Sequence, residues 1–294
     1  MSLGSLAQNI AYGLFVGGIY GIAAVGLALA FGVMNVLNIA HGELLMFGGY
    51  ISFWLFSWLG IDPFISLVVC VPLMFVIGLL LDRLVYRHVA RLRGEAKIKN
   101  SLLISFGLVL ILQNVAIRLF TADERSIQVP YGGQGINLLG VALPYTRLWG
   151  LAIALVTIVA LHLFLRRTDP GKAIRATAED WEAAELSGIN VPRVYMLTFA
   201  LGAALAGIAG TLVSVTASIT PSIGLDWTLK ALIVVVLAGT GSIIGAFPAG
   251  LLLGLVEALS GVFIDASYRE LVGLVIFLLV LLIRPQGLFG QQSA

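Results

Sequence analysis

The chain has little charge, one cysteine and no nucleotide-binding loop, and each shortage excludes a class of protein. Charged residues make up 11% of its 294 positions, against about 25% in soluble domains. No charged side chain precedes Glu43, and none lies between Arg193 and Asp226. A soluble core cannot be built around apolar runs of that length. The lone Cys70 rules out an internal disulfide and is expected to be inert packing. The three histidines, His41, His88 and His162, show no metal-ligand spacing. A G-x-x-x-x-G-K-[ST] loop is also missing, because the Gly171-Lys172 pair lacks both the upstream glycine and the Ser or Thr. The chain therefore carries no enzyme motif and no cofactor site of its own. Strict period-two alternation is absent, which argues against an outer-membrane barrel. Residues 1–10 have no basic segment, and the apolar run after them is too long for a cleaved signal, so the N-terminus reads as the first span.

Hydrophobic residues are plentiful, at 60%. Apolar segments fall near 8–33, 42–60, 63–86, 99–120, 147–166, 194–217, 227–239, 244–264 and 270–284. Backbone polar groups in lipid must be satisfied locally, so the expected fold is all-α: a single polytopic bundle, residues 1–294, of eight to ten membrane helices. Basic residues are concentrated in 83–99 (Arg83, Arg87, Arg91, Arg93, Lys97, Lys99) and 166–193 (Arg166, Arg167, Lys172, Arg175, Arg193), whereas 121–147 has only Arg125 and Arg147. The positive-inside rule places the first two segments in the cytoplasm. Thirty-four glycines include Gly13, Gly17 and Gly21, and Gly250 and Gly254, at the spacing that lets helices pack closely. Residues 239–245 (GTGSIIG) read as a turn or a re-entrant bend. The order glycine-rich span, polar break, shorter helix occurs at 8–33 and again at 194–217, which hints at an inverted repeat.

Two polar islands stand out. In 35–43 (NVLNIAHGE), Asn35, Asn38, His41 and Glu43 would be costly against lipid. They fit either a loop whose Asn38 caps the next helix or a broken helix lining a translocation path. Lys230 and Glu257 are isolated in apolar segments and would neutralise each other as a pair. The second island, 177–193 (TAEDWEAAELSGINVPR), reads as a ten-residue helix capped by Thr177, with Asp180 bonding back, and ended by Gly188. Glu179, Glu182 and Glu185 form one stripe and Ala178, Trp181 and Ala184 another. That pattern suits a helix lying in a partner's groove, while Trp181 also suits a membrane-interface anchor.

Glu182-Ala183-Ala184 followed by Gly188 resembles the EAA–G signature of the membrane subunits of ABC importers, although Thr198–Leu201 reads TFAL where many members carry I-x-L-P. That departure is itself similar to the branched-chain amino acid type of permease. The resemblance continues through YGIAAVGLALAFGVMNVLNIAHGELLMFGGY at 20–50, RATAEDWEAAELSGINVPRVYMLTFALGAALAGIAG at 175–210 and RPQGLFG at 284–290. It implies an inner-membrane permease without catalytic activity, partnered by a second homologous permease (or itself), two cytoplasmic ATPases that bind ATP and Mg, and a periplasmic binding protein. Lipid surrounds such a chain, and nucleic acid has no part in it. Residues 167–193 would be the coupling loop, with Glu179, Asp180, Trp181, Glu182, Ala183, Ala184, Glu185 and Gly188 meeting the ATPase. Asn35, Asn38, His41 and Glu43 are the candidate path residues, on polarity alone. Branched-chain or other small amino acids are the expected cargo. The same family carries urea and short amides, and a gradient-driven transporter is the alternative of another class.

Overall fold

The computed structural model describes residues 3–290 except 91, 93, 139, 140 and 240, so Arg91 and Arg93 of the first basic connection lie outside the described residues. Twelve α-helices follow in order: α1 (Leu3–Met34), α2 (His41–Leu59), α3 (Pro63–Leu81), α4 (Arg87–Ala90), α5 (Gly94–Phe120), α6 (Tyr145–Arg167), α7 (Asp169–Glu179), α8 (Trp181–Leu186), α9 (Val191–Thr216), α10 (Ile223–Ala238), α11 (Ala246–Phe263) and α12 (Arg269–Ile283). A π-helical turn, Asp82–Tyr86, joins α3 to α4. Large apolar side chains such as Val68 on α3, Leu103 on α5, Val156 on α6 and Leu282 on α12 point outward, as they would towards lipid.

Among the described residues, six helices are long and apolar enough to cross a membrane. The expected count of eight to ten is not confirmed on that criterion. The three segments that miss it are α2, whose first turn carries His41 and Glu43, and the short α10 and α12, of 16 and 15 residues. The connection 121–144 also holds a two-stranded antiparallel hairpin, Gly135–Leu138 with Val141–Pro144, which the apolar pattern gave no reason to expect.

α1 and α9 form the centre and pack on each other. The contacts around them are reciprocal: α1 packs on α11 and α10, and α9 packs on α3 and α2. Glycines set the closest approach. A Cβ on Gly17 would lie 2.8 Å from the Gly250 carbonyl oxygen, so only small residues allow this crossing of α1 and α11. The segment 239–245 breaks the chain between α10 and α11, apart from Thr240, which lies outside the described residues. The terminal RPQGLFG run closes against that break, with Leu288 N donating to Leu237 O and Phe289 N to Ala238 O. Cys70 is fully buried.

Both long central helices end in a reversal. α1 stops at Met34, and Asn35 takes φ +50°, a left-handed conformation that an asparagine tolerates. The chain then turns back, and α2 begins where His41 Nε2 donates to Ala23 O at 2.9 Å, about three turns before the end of α1. The start of α10 meets it there: Thr228 Oγ1 accepts from Gly42 N at 2.8 Å and donates to Ile39 O at 2.8 Å. Two helix N-termini therefore converge inside the bundle.

Candidate functional site

The polar insert is built differently from the single capped helix its sequence suggested. Thr168, not Thr177, caps α7, its Oγ1 accepting from Gly171 N at 3.1 Å, with Pro170 just inside the helix. Thr177 is buried within α7 and its hydroxyl has no partner among the described residues. Asp180 interrupts the helix with an extended backbone (φ −153°, ψ 105°). Its Oδ1 accepts from Glu182 N at 2.9 Å and Ala183 N at 3.0 Å, which starts α8. An aspartate can satisfy two free amides in this way, whereas continuing the helix would leave its side chain solvated and idle. The expected ten-residue helix is thus the end of α7 and a separate six-residue α8. Glu179 belongs to the former, so the glutamate stripe is broken.

The other end agrees with the sequence reading. Gly188 adopts φ +87°. Gly188 N donates to Glu185 O and Ile189 N to Ala184 O, each at 3.0 Å, the two bonds of a Schellman closure. The insert is also clamped to the bundle. Gly171 lies against the backbone of Phe164 and Leu165, where a Cβ would find no room, and Arg175 Nε donates to Leu165 O at 2.9 Å. Ile174 and Ala184 are buried, so α7 and α8 follow α6 and α9 as one piece.

Glu182, Ala183, Glu185 and Leu186 are exposed. Leu186 is 90% exposed, a large apolar side chain next to the exposed Glu185. The sequence reading passed over it because leucine in a greasy chain carries no signal; its place two residues before the Gly188 stop was the available clue. Trp181 is half-buried. With Glu182, Glu185 and Asn35 it borders a cavity of about 590 Å³ between α8 and the bundle. Glu179 edges another of about 640 Å³, with His162, Arg166 and Ser242.

The four candidate path residues do not come together. Asn35 lines the cavity beside α8. Asn38 is buried, and its Oδ1 accepts from Tyr86 hydroxyl at 2.7 Å. The expected cap of α2 is therefore absent: its N-cap is Ala40, without a side-chain bond. Asn38 is already engaged to the π-turn. His41 is held by α1, as above. Glu43 is 1% exposed, its Oε2 has no partner among the described residues, and its carboxyl group lies where Gly224 has no side chain. The N-terminus of α10 supplies partial positive charge at that point.

Lys230 and Glu257 do pair, at 2.6 Å. Tyr20 hydroxyl donates to the second Glu257 oxygen at 2.9 Å, and Glu270 stands 3.6 Å from Lys230. Tyr20, Glu257 and Glu270 line a third cavity of about 380 Å³ at the end of the bundle away from α8.

A family profile described as branched-chain amino acid transport system / permease component matches residues 9–283. The chain is 33% identical to the high-affinity branched-chain amino acid transport system permease protein LivH of Escherichia coli (strain K12), over 97% of this chain and 95% of that protein. The same figures hold for the corresponding permease protein BraD of Pseudomonas aeruginosa. It is also similar to the ribose import permease protein RbsC of Escherichia coli (strain K12), 27% identical over 89% of this chain and 81% of that one. No solved structure matches the chain.

Proposed function

We propose that this chain, which belongs to the branched-chain amino acid transport permease family, is the membrane subunit of an ATP-driven importer of branched-chain or other small amino acids. Its apolar helices and its family make it a multi-pass protein of the inner membrane. The observation that carries the rest is the α7–α8 insert. A short helix with a defined start and stop is fixed to α6 and to the central α9 and presents glutamates and a bare leucine outward. Such a unit can pass displacement from a partner to the bundle, which a mobile loop could not. The partners on this reading are two cytoplasmic ATPases binding ATP and Mg, a second permease (a homologue or another copy), and a periplasmic binding protein that delivers the solute. The basic connections, and hence α8, face the cytoplasm. The path runs between the two permeases, with 35–43 contributing. There the converging ends of α2 and α10 resemble the discontinuous helices of other transporters.

Leu186 offers the sharpest test. An exposed apolar residue on a short helix is the kind of anchor that dominates a groove interface, where truncation costs about 2 kcal/mol or more. Leu186→Asp should leave membrane insertion and thermal unfolding unchanged, yet reduce co-purification with the ATPases by roughly thirtyfold in affinity. Full retention of the ATPases would remove α8 as the docking element. Solute accumulation by this chain in vesicles without ATP would remove the ABC reading altogether.

A further inference from the structure

The cavity of about 590 Å³ under α8 is lined by two deeply buried charges, Asp82 and Lys97, with the Arg87 guanidinium acting on Asp82 and Glu182 and Glu185 at its α8 edge. Asp82, on the π-helical turn, is 3% exposed, and Lys97, on the first turn of α5, is 9% exposed. Asp82 Oδ1 has no hydrogen-bond partner among the described residues. The ion pairs found among those residues include neither side chain. The Lys97 ammonium stands over the Tyr195 ring at 5.0 Å, a contact worth far less than a carboxylate at that depth. Burying opposite charges without joining them is costly, and if their role were structural they would pair with each other. A π-turn is also an expensive way to set one carboxylate inward, and such insertions recur at functional sites.

One ligand chemistry relieves both charges at once, a small zwitterion whose ammonium meets Asp82 and whose carboxylate meets Lys97. The cavity lies within the range of about 300–1,000 Å³ typical of small-molecule sites. Leu92, Ile98 and Val191 give the same cavity apolar lining for an aliphatic side chain. The walls come from different elements: Asp82 from the π-turn, Lys97 from α5, Asn35 from the turn after α1, and Trp181 and Glu182 from α8. A ligand bridging them favours the arrangement in which α8 sits as seen here.

We propose that this cavity binds a free α-amino acid from the α8 side, and that occupancy holds α8 in place and slows transport. The site would report product accumulated in the cytoplasm. The proposal rests on the importer reading above for the side from which the ligand comes and for the lever it holds.

Calorimetry on the solubilised transporter without its binding protein tests the chemistry. Leucine should bind, while leucinamide (no carboxylate) and 4-methylpentanoate (no ammonium) each bind about tenfold more weakly or worse. Asp82→Asn and Lys97→Met should weaken leucine to a similar degree. Equal binding of the three probes, or leucine affinity unaltered in both variants, overturns the site. Vesicles loaded with ATP, with and without leucine inside, test the consequence through the ratio of the two uptake rates within each variant. That ratio should fall well below one for the unmodified chain and return towards one in Asp82→Asn. ATP-dependent uptake indifferent to internal leucine overturns this inference alone; ATP-independent uptake overturns the importer reading instead.

Discussion

Gly42 and Gly224 touch backbone to backbone: a methyl group on Gly42 would overlap the Gly224 carbonyl oxygen outright. The contact joins the first turn of α2 to that of α10, deep in the bundle, and Thr228 braces it through Gly42 N. Neither backbone can yield, because each is the start of a helix already tied to a central one.

Gly42→Ala is therefore expected to destabilise by about 3 kcal/mol or more, the upper range for overpacking. Gly107 is the control. It lies within α5 with nothing near a built Cβ, so Gly107→Ala should be neutral or gain up to about 1 kcal/mol from helix propensity. Thermal unfolding in detergent separates them. Similar shifts for the two would mean that α2 and α10 do not meet as described.

The insert supplies a second contrast. If Asp180 starts α8 and Thr168 starts α7, Asp180→Ala and Thr168→Val should each cost about 1 kcal/mol of stability. Thr177→Val should be neutral or slightly stabilising, because it removes a buried hydroxyl that has no partner. A capping box headed by Thr177 predicts the opposite order. Amide hydrogen exchange at Glu182 and Ala183 gives an independent reading. Both should lose protection in Asp180→Ala and keep it in Thr177→Val.

Much of this was legible in the residues, and the misreadings have a common cause. Gly188 was a sound stop signal because a positive φ is costly for any other residue, and the spacing of Gly13, Gly17 and Gly21 already specified a close helix crossing. The Lys230–Glu257 pair followed from the cost of leaving either charge alone in an apolar segment. Thr177, by contrast, matched a cap only by spacing. Asp180 was an equally good cap three residues on, and nothing local could choose between them. Asn38 failed in the same way, because Tyr86, far along the chain, takes its side chain. The polarity of 35–43 revealed a break in the helix but not that its members would be spent on separate contacts. The convergence of α2 with α10 was not readable at all, since it depends on where α9 ends relative to α1.

The Lys230–Glu257 pair invites a double-mutant cycle. Lys230→Met leaves a carboxylate facing Tyr20 in a nearly dry site, and Glu257→Leu leaves an ammonium with only the more distant Glu270. Each single change should cost about 3–5 kcal/mol, the usual penalty for orphaning a buried charge. The double variant removes both charges and should recover most of that loss. It stops short of full recovery by about 1–3 kcal/mol, because Tyr20 hydroxyl loses the acceptor it has at 2.9 Å. Adding Tyr20→Phe to the double variant should restore that remainder. Denaturant titration in detergent measures the cycle, and strictly additive single costs would show that the two charges do not depend on each other. The cluster lies at the end of the bundle away from α8, so on the importer reading proposed above the triple variant should retain the ATPases as well as the unmodified chain. On that reading, a triple variant that is stable yet fails to retain the ATPases would instead join this cluster to α8 through α10.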